Sequence, residues 1–143
     1  MTTIDPKLRA QREASVNAHI HAEAAEHSIS ATLATFRTPR YEVPAVGAIA
    51  DGPAAVEGLL HQVLEAFPDF WVKQHAVYHA DDAVIVEATF GGTHRGVWTG
   101  IAPTGNQMAV QSLLMFMFDG ADLLCEKVYF DHATVLCQLA TAQ

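Results

Sequence analysis

The chain has 143 residues, half of them hydrophobic and 17% charged, which is enough apolar material for the core of one domain spanning residues 1–143 and too little for two. Eight basic against sixteen acidic residues leave a formal net charge of −8, so no cationic face exists for a nucleic acid or an anionic lipid surface. No apolar run approaches the roughly 20 residues of a bilayer span and no signal-peptide core opens the chain, so a cytoplasmic protein is expected, with Cys125 and Cys137 as reduced, mostly buried thiols.

In chain order, Asp5-Pro6 fits an N-cap with proline at the first helical position, and Leu8, Val16, Ile20 and Ala24 recur near helical spacing, predicting a first helix to about Glu26. A shorter helix over Ser28 to Phe36 breaks at Thr38-Pro39. Tyr41 and Val43 then read as a short extended piece, and Pro44 to Gly47 as a loop. Asp51-Gly52-Pro53 opens a third helix whose stripe of Val56, Leu59, Leu60, Val63, Leu64 and Phe67 is closed by Pro68.

Beyond Pro68 the period becomes two. Trp71 to Ala80 and Ala83 to Phe90 read as a hairpin turning at Asp81-Asp82, and Gly91 to Trp98 as another short strand. Met108 to Phe118 and Asp122 to Phe130 form a second hairpin about Asp119-Gly120, and Asp131 to Leu139 a closing helix. Three helices followed by antiparallel strands predict an α+β domain whose curved sheet, covered by helices on one face, encloses a pocket.

Several side chains are candidates for that pocket. Strand alternation groups His75, Val77 and His79 on one face, and Glu87 with Ile85 and Thr89. An inward Glu87 near His75 would make an acid/base pair, whereas an outward one belongs to a solvated sheet face. Trp71, Tyr41, Trp98, Met115, Phe116 and Met117 supply apolar walls for a flat or greasy ligand, or simply core. His19, Glu23 and His27 recur at four-residue steps, a spacing able to hold a metal; without partners elsewhere they read as a solvent-facing stripe, and no metal is expected.

The stretch Gly92-Thr93-His94-Arg95-Gly96, continued by Gly100-Ile101-Ala102-Pro103-Thr104-Gly105, resembles the SnoaL-like polyketide cyclases, also called ester cyclases. So do Ala66 to Asp69, Phe118-Asp119-Gly120, Glu126 to Asp131, and Leu136-Cys137-Gln138-Leu139, in order over roughly residues 17 to 140. The resemblance implies the cone-shaped nuclear transport factor two-like (cystatin-like) barrel, with the site inside the cone and a homodimer or homotetramer formed through the outer sheet face. It also implies that Asp131 is the acid/base aspartate; a carboxylate at the end of an apolar strand would have a raised pKa. The same Asp131 suits the N-cap of the closing helix. His94 would assist by hydrogen bonding Asp131 or a substrate carbonyl, or else serve structure. One departure is that Leu113 to Phe118 is wholly apolar where these cyclases carry a histidine.

The function so implied is proton transfer on a small apolar or aromatic carbonyl substrate, such as aldol-type cyclisation, without a cofactor. Isomerase and dehydratase chemistries use the same parts. An epoxide hydrolase would need an arginine between carboxylates, and Arg95 is the only arginine in the strand half. A non-catalytic small-molecule binding module is the remaining class.

Overall fold

The structure, a computed structural model, describes residues 3–141. Its helices are α1 (Pro6–Ala24), α2 (Ile29–Ala34), α3 (Pro53–Ala66) and α4 (His132–Ala140). Its strands are β1 (Arg40–Val43), β2 (Ala48–Asp51), β3 (Trp71–Ala80), β4 (Ala83–Thr93), β5 (Gln107–Asp119) and β6 (Asp122–Phe130). One six-stranded sheet runs in the order β2-β1-β6-β5-β4-β3, antiparallel throughout except where β1 lies parallel to β6. The sheet is curled and unclosed, with the helices on its concave side, as expected of an α+β cone.

Local chemistry sets the element ends. Asp5 accepts from the Lys7 amide ahead of Pro6, and Gly52, at φ 90°, precedes Pro53 at the start of α3. Asn106 donates its side-chain amide to the Leu139 and Thr141 carbonyls, satisfying the end of α4. The core joins Val16 and Ile20 of α1 and Val56 and Leu60 of α3 to Val84, Val86, Leu114 and Phe116 of the sheet, all buried.

The structure departs from the expectations in three places. The extended piece at Tyr41 pairs with a further strand, β2, across a turn of 3-10 helix at Pro44–Val46. The expected strand over Gly91 to Trp98 is instead the continuation of β4 to Thr93, followed by irregular chain. Both cysteines are free thiols, and of the two expected to be mostly buried only Cys125 is; Cys137 is exposed on α4.

Two irregularities aim side chains. On β6, Leu123 and Cys125 face the adjacent Phe118 and Met117, so Leu124 is an extra residue in a β-bulge. The bulge reverses parity: Leu123 points into the core, and beyond the bulge Glu126, Val128 and Phe130 point the same way. On β3, Gln74 and Ala76 face Ala88 and Glu87, so His75 bulges and the simple alternation of that strand is broken.

α1 is fixed over the sheet by Arg12, which is 3% exposed. Its guanidinium donates to the Gly120 carbonyl at 2.8 Å and the Asp81 carbonyl at 2.9 Å, joining the turns of both hairpins, and lies 5.4 Å above the Phe118 ring. Arg12→Met should therefore lower the free energy of unfolding by about 2 kcal/mol, since two carbonyls lose a charged donor at a half-dry site. Urea denaturation checks this, and a change under about 0.5 kcal/mol, the level of an ordinary surface substitution, would contradict it.

Candidate functional site

Between α1, α3 and the concave face of the sheet lies a cavity of about 80 Å³. Its walls are apolar: Ile20, Leu60, Phe67, Phe70, Phe90, Met108, Leu114, Val128, Phe130 and Val135 among others. Val46, Leu59 and Val63, half-exposed while lining it, mark its solvent side. The titratable groups on its wall are Glu23, Tyr41 and Glu126.

Those three meet at His19, which is fully buried behind them. His19 Nε2 lies 2.8 Å from Glu126 Oε2, 3.0 Å from Glu23 Oε2 and 2.8 Å from the Tyr41 hydroxyl. Tyr41 donates its proton to Glu23 Oε2 at 2.8 Å. The parallel pairing of β1 with β6 sets Tyr41 directly opposite Glu126. The rings of Phe36 and Phe116 stand edge-on to the imidazole at 5.2 and 5.3 Å, closing its other sides to water.

Proton positions follow from donor counting. Thr35 gives its hydroxyl proton to the Thr32 carbonyl at 2.7 Å, so its oxygen must accept from His19 Nδ1, 2.8 Å away. Because the Tyr41 proton goes to Glu23, the contact between Nε2 and Glu126 also needs a proton, shared between ring and carboxylate. Burial alone would lower the pKa of His19, but the charge and hydrogen bond of Glu126, then those of Glu23, raise it from 6.5 to about 9. Burial, followed by the charge of Glu23, pushes the Glu126 carboxyl above its usual range against the pull of His19 and Tyr41. Tyr41 is raised well above 10, chiefly by burial and then by the two carboxylates, and stays protonated.

His19, Glu23 and Glu126 also make a three-ligand group with one donor atom each, all within 4.8 Å of one another, the one set among the described residues with metal-site geometry. The expected solvent-facing stripe is thereby corrected in part. His19 and Glu23 turn inward beside Val16 and Ile20, whereas His27 bonds the Phe70 carbonyl at 2.7 Å.

Of the sequence candidates, the structure brings Tyr41 and Trp98 to the cavity. It places the others elsewhere. Asp131 is exposed at the N-cap of α4, accepting from the Ala133 amide at 3.1 Å and the Thr134 hydroxyl at 2.7 Å. Those bonds, the Thr134 hydroxyl first, hold its carboxyl below the usual range, a correction to the expected buried acid with a raised pKa. His94 is buried but is not on the wall of this cavity; it packs against Phe67, and its Nδ1 accepts from the Thr104 amide at 3.2 Å, tying down the loop after β4. It makes no hydrogen bond to Asp131.

His75 and Glu87 lie on the exposed convex face, bonded to Thr89 and Tyr78 respectively, and do not form a pair. Trp71 is 39% exposed outside the cavity, its indole lying on Gly91 where any Cβ would collide with it. Met115 and Met117 are half-buried and are not on the wall of this cavity, and Phe116 is core against His19.

A curled sheet wrapped over helices around an apolar pocket is the nuclear transport factor two-like fold, and the chain belongs to the SnoaL-like polyketide cyclase family, whose pattern matches residues 16–139. No curated protein matches in sequence. Among solved structures, a SnoaL-like protein from Jannaschia sp. CCS1 superposes with a TM-score of 0.82 at 18% identity over 100% of both chains. A protein of ketosteroid isomerase-like fold from Catenulispora acidiphila DSM 44928, in complex with trimethylamine, gives 0.74 at 22% identity over 90% of this chain and 93% of the other. IdmH of Streptomyces antibioticus, assigned as a polyketide cyclase, gives 0.70 at 20% identity over 92% and 99%. At these identities the likeness carries the fold alone. No helix among the described residues is long and apolar enough to cross a membrane.

Because His19 binds its proton more tightly folded, near pKa 9, than unfolded, near 6.5, its stabilisation is complete below about pH 6.5 and is lost as pH rises through 9. The free energy of unfolding from urea titration should be lower at pH 9.5 than at pH 6.5. Glu126→Gln should shrink that difference, since burial then dominates the imidazole. Equal pH dependence in the two proteins would contradict the pairing.

Proposed function

We propose that the protein is an acid/base enzyme acting on a small apolar carbonyl compound, and that the buried set at His19, rather than Asp131, moves the proton. The observation that carries this reading is that the one acidic end of an otherwise apolar cavity is formed by Glu23, Tyr41 and Glu126, backed by His19. Charged groups held among apolar neighbours at a cavity wall are where proton-transfer chemistry is found.

In this reading Glu126 is the base. Its Oε1 makes no hydrogen bond among the described residues, whereas Oε2 rests on His19. Taking a proton α to the carbonyl leaves an enol(ate) and neutralises Glu126, which burial already favours. His19 stays paired throughout through Glu23. Tyr41, once released from Glu23, can donate to the developing oxyanion. Return of the proton to a new alkoxide completes an aldol-type closure, and return to a different carbon completes an isomerisation. Family membership favours the cyclisation. The complex of one structural neighbour with trimethylamine supports small-molecule binding in this fold. At about 80 Å³ the cavity takes a small guest or one end of a larger one entering beside Val46 and Leu59.

The test is deuterium uptake α to the carbonyl of an apolar cyclic ketone in D2O, followed by NMR. Wild-type protein should accelerate exchange over buffer. Glu126→Gln should lose about 100-fold or more of that acceleration, the usual scale of a general base. Asp131→Asn should keep the wild-type rate within about twofold. No acceleration, or a loss confined to Asp131→Asn, would overturn the proposal.

A further inference from the structure

Every side-chain N–H and O–H on the cavity wall is already engaged. The Tyr41 hydroxyl donates to Glu23 Oε2 at 2.8 Å, and the Trp98 indole N–H donates to His132 Nε2 at 3.2 Å. The imidazole protons behind the wall are held by Thr35 and Glu126. The polar atoms left unengaged are both acceptors: Oε1 of Glu23 and Oε1 of Glu126 take no hydrogen bond among the described residues. Two carboxylate side chains, Glu23 and Glu126, face one imidazole at that end.

From this inventory we infer that the cavity selects an apolar molecule presenting one neutral hydrogen-bond donor, a phenolic or enolic hydroxyl, to Glu23 and Glu126, and that it excludes carboxylates of the same shape. A hydroxyl gives its proton to an unengaged oxygen and keeps its ring against Val128, Phe130 and Leu60. A carboxylate would meet like charge and find no donor, in surroundings where an unpaired buried charge is costly. An ammonium group finds acceptors and opposite charge, but that attraction offsets only part of the cost of leaving water for walls of phenylalanine and valine, which is far larger than the cost of desolvating a hydroxyl. The inference rests on the cavity being the active site under the proposed function, and it names the group formed at the acidic end once the α proton has been taken: the enolic hydroxyl of an enolisable carbonyl compound.

Isothermal titration of the whole chain with phenol, benzene, benzoate and benzylammonium tests it. Phenol should bind at least tenfold tighter than benzene, and benzoate should show no binding. Benzoate or benzylammonium equalling phenol, phenol no better than benzene, or no binding by any probe would overturn the inference. Glu23→Gln turns an acceptor into a group with N–H donors, so it should reduce the advantage of phenol over benzoate at least fivefold. Should that variant not fold, Tyr41→Phe removes one of the two groups on Glu23 Oε2, leaving His19 Nε2, and should leave phenol binding as tight or tighter; a loss there would overturn the inference. Phenol has no carbon acid to exchange, so these results stand apart from the exchange assay. Selective phenol binding without ketone exchange would sink only the proposed catalysis, and exchange without phenol selectivity only the inference.

Discussion

A carboxylate can sit inside an apolar sheet only if something nearby carries a compensating proton, and Glu126 has His19. That requirement reaches far through the molecule. α1 must bring His19 to the sheet, which the clasp of Arg12 on both hairpin turns enforces. α2 must present Thr35 to hold Nδ1 protonated. β1 must lie parallel to β6 so that Tyr41 stands opposite Glu126. The bulge at Leu124 must reverse the parity of β6, because without it Lys127 and Tyr129 would point inward in place of Glu126 and Val128. The polar set and the apolar cavity are therefore one construction: the walls exclude water, and the exclusion gives the proton its unusual affinity for the pair.

The element boundaries were largely legible because they rest on local chemistry. Asp5-Pro6, Gly52-Pro53, Asp81-Asp82 and Asp119-Gly120 act within a few residues of themselves. The resemblance centred on residues 92 to 105 pointed to the family correctly. β2 was hidden because Ala48–Asp51 is short and its partner lies across a turn of 3-10 helix that reads as loop.

The site was less legible, for reasons that lie in particular residues. His19 and Glu23 stand three and seven positions after Val16, on the helical face that also carries Ile20. That face was visible, but polar side chains on a first helix suggest solvent unless a partner is known. The partner, Glu126, comes more than a hundred residues later. A charge among Leu123, Val128 and Phe130 was the available signal, and plain alternation from Leu123 would have turned it outward. Asp131 carries the opposite lesson: its place at a strand end before a helix fits a catalytic acid and an N-cap alike, and its bonds to Ala133 and Thr134 are those of the cap.

Where a ligand sits decides the assignment of the site to the chamber at His19. A crystal structure of the protein with phenol bound should place the phenol oxygen within hydrogen-bonding distance of Oε1 of Glu23 or Glu126, with its ring among the side chains of α3 and β6. A ligand found instead at Asp131 or against the exposed Trp71, with the chamber at His19 unchanged, would contradict it.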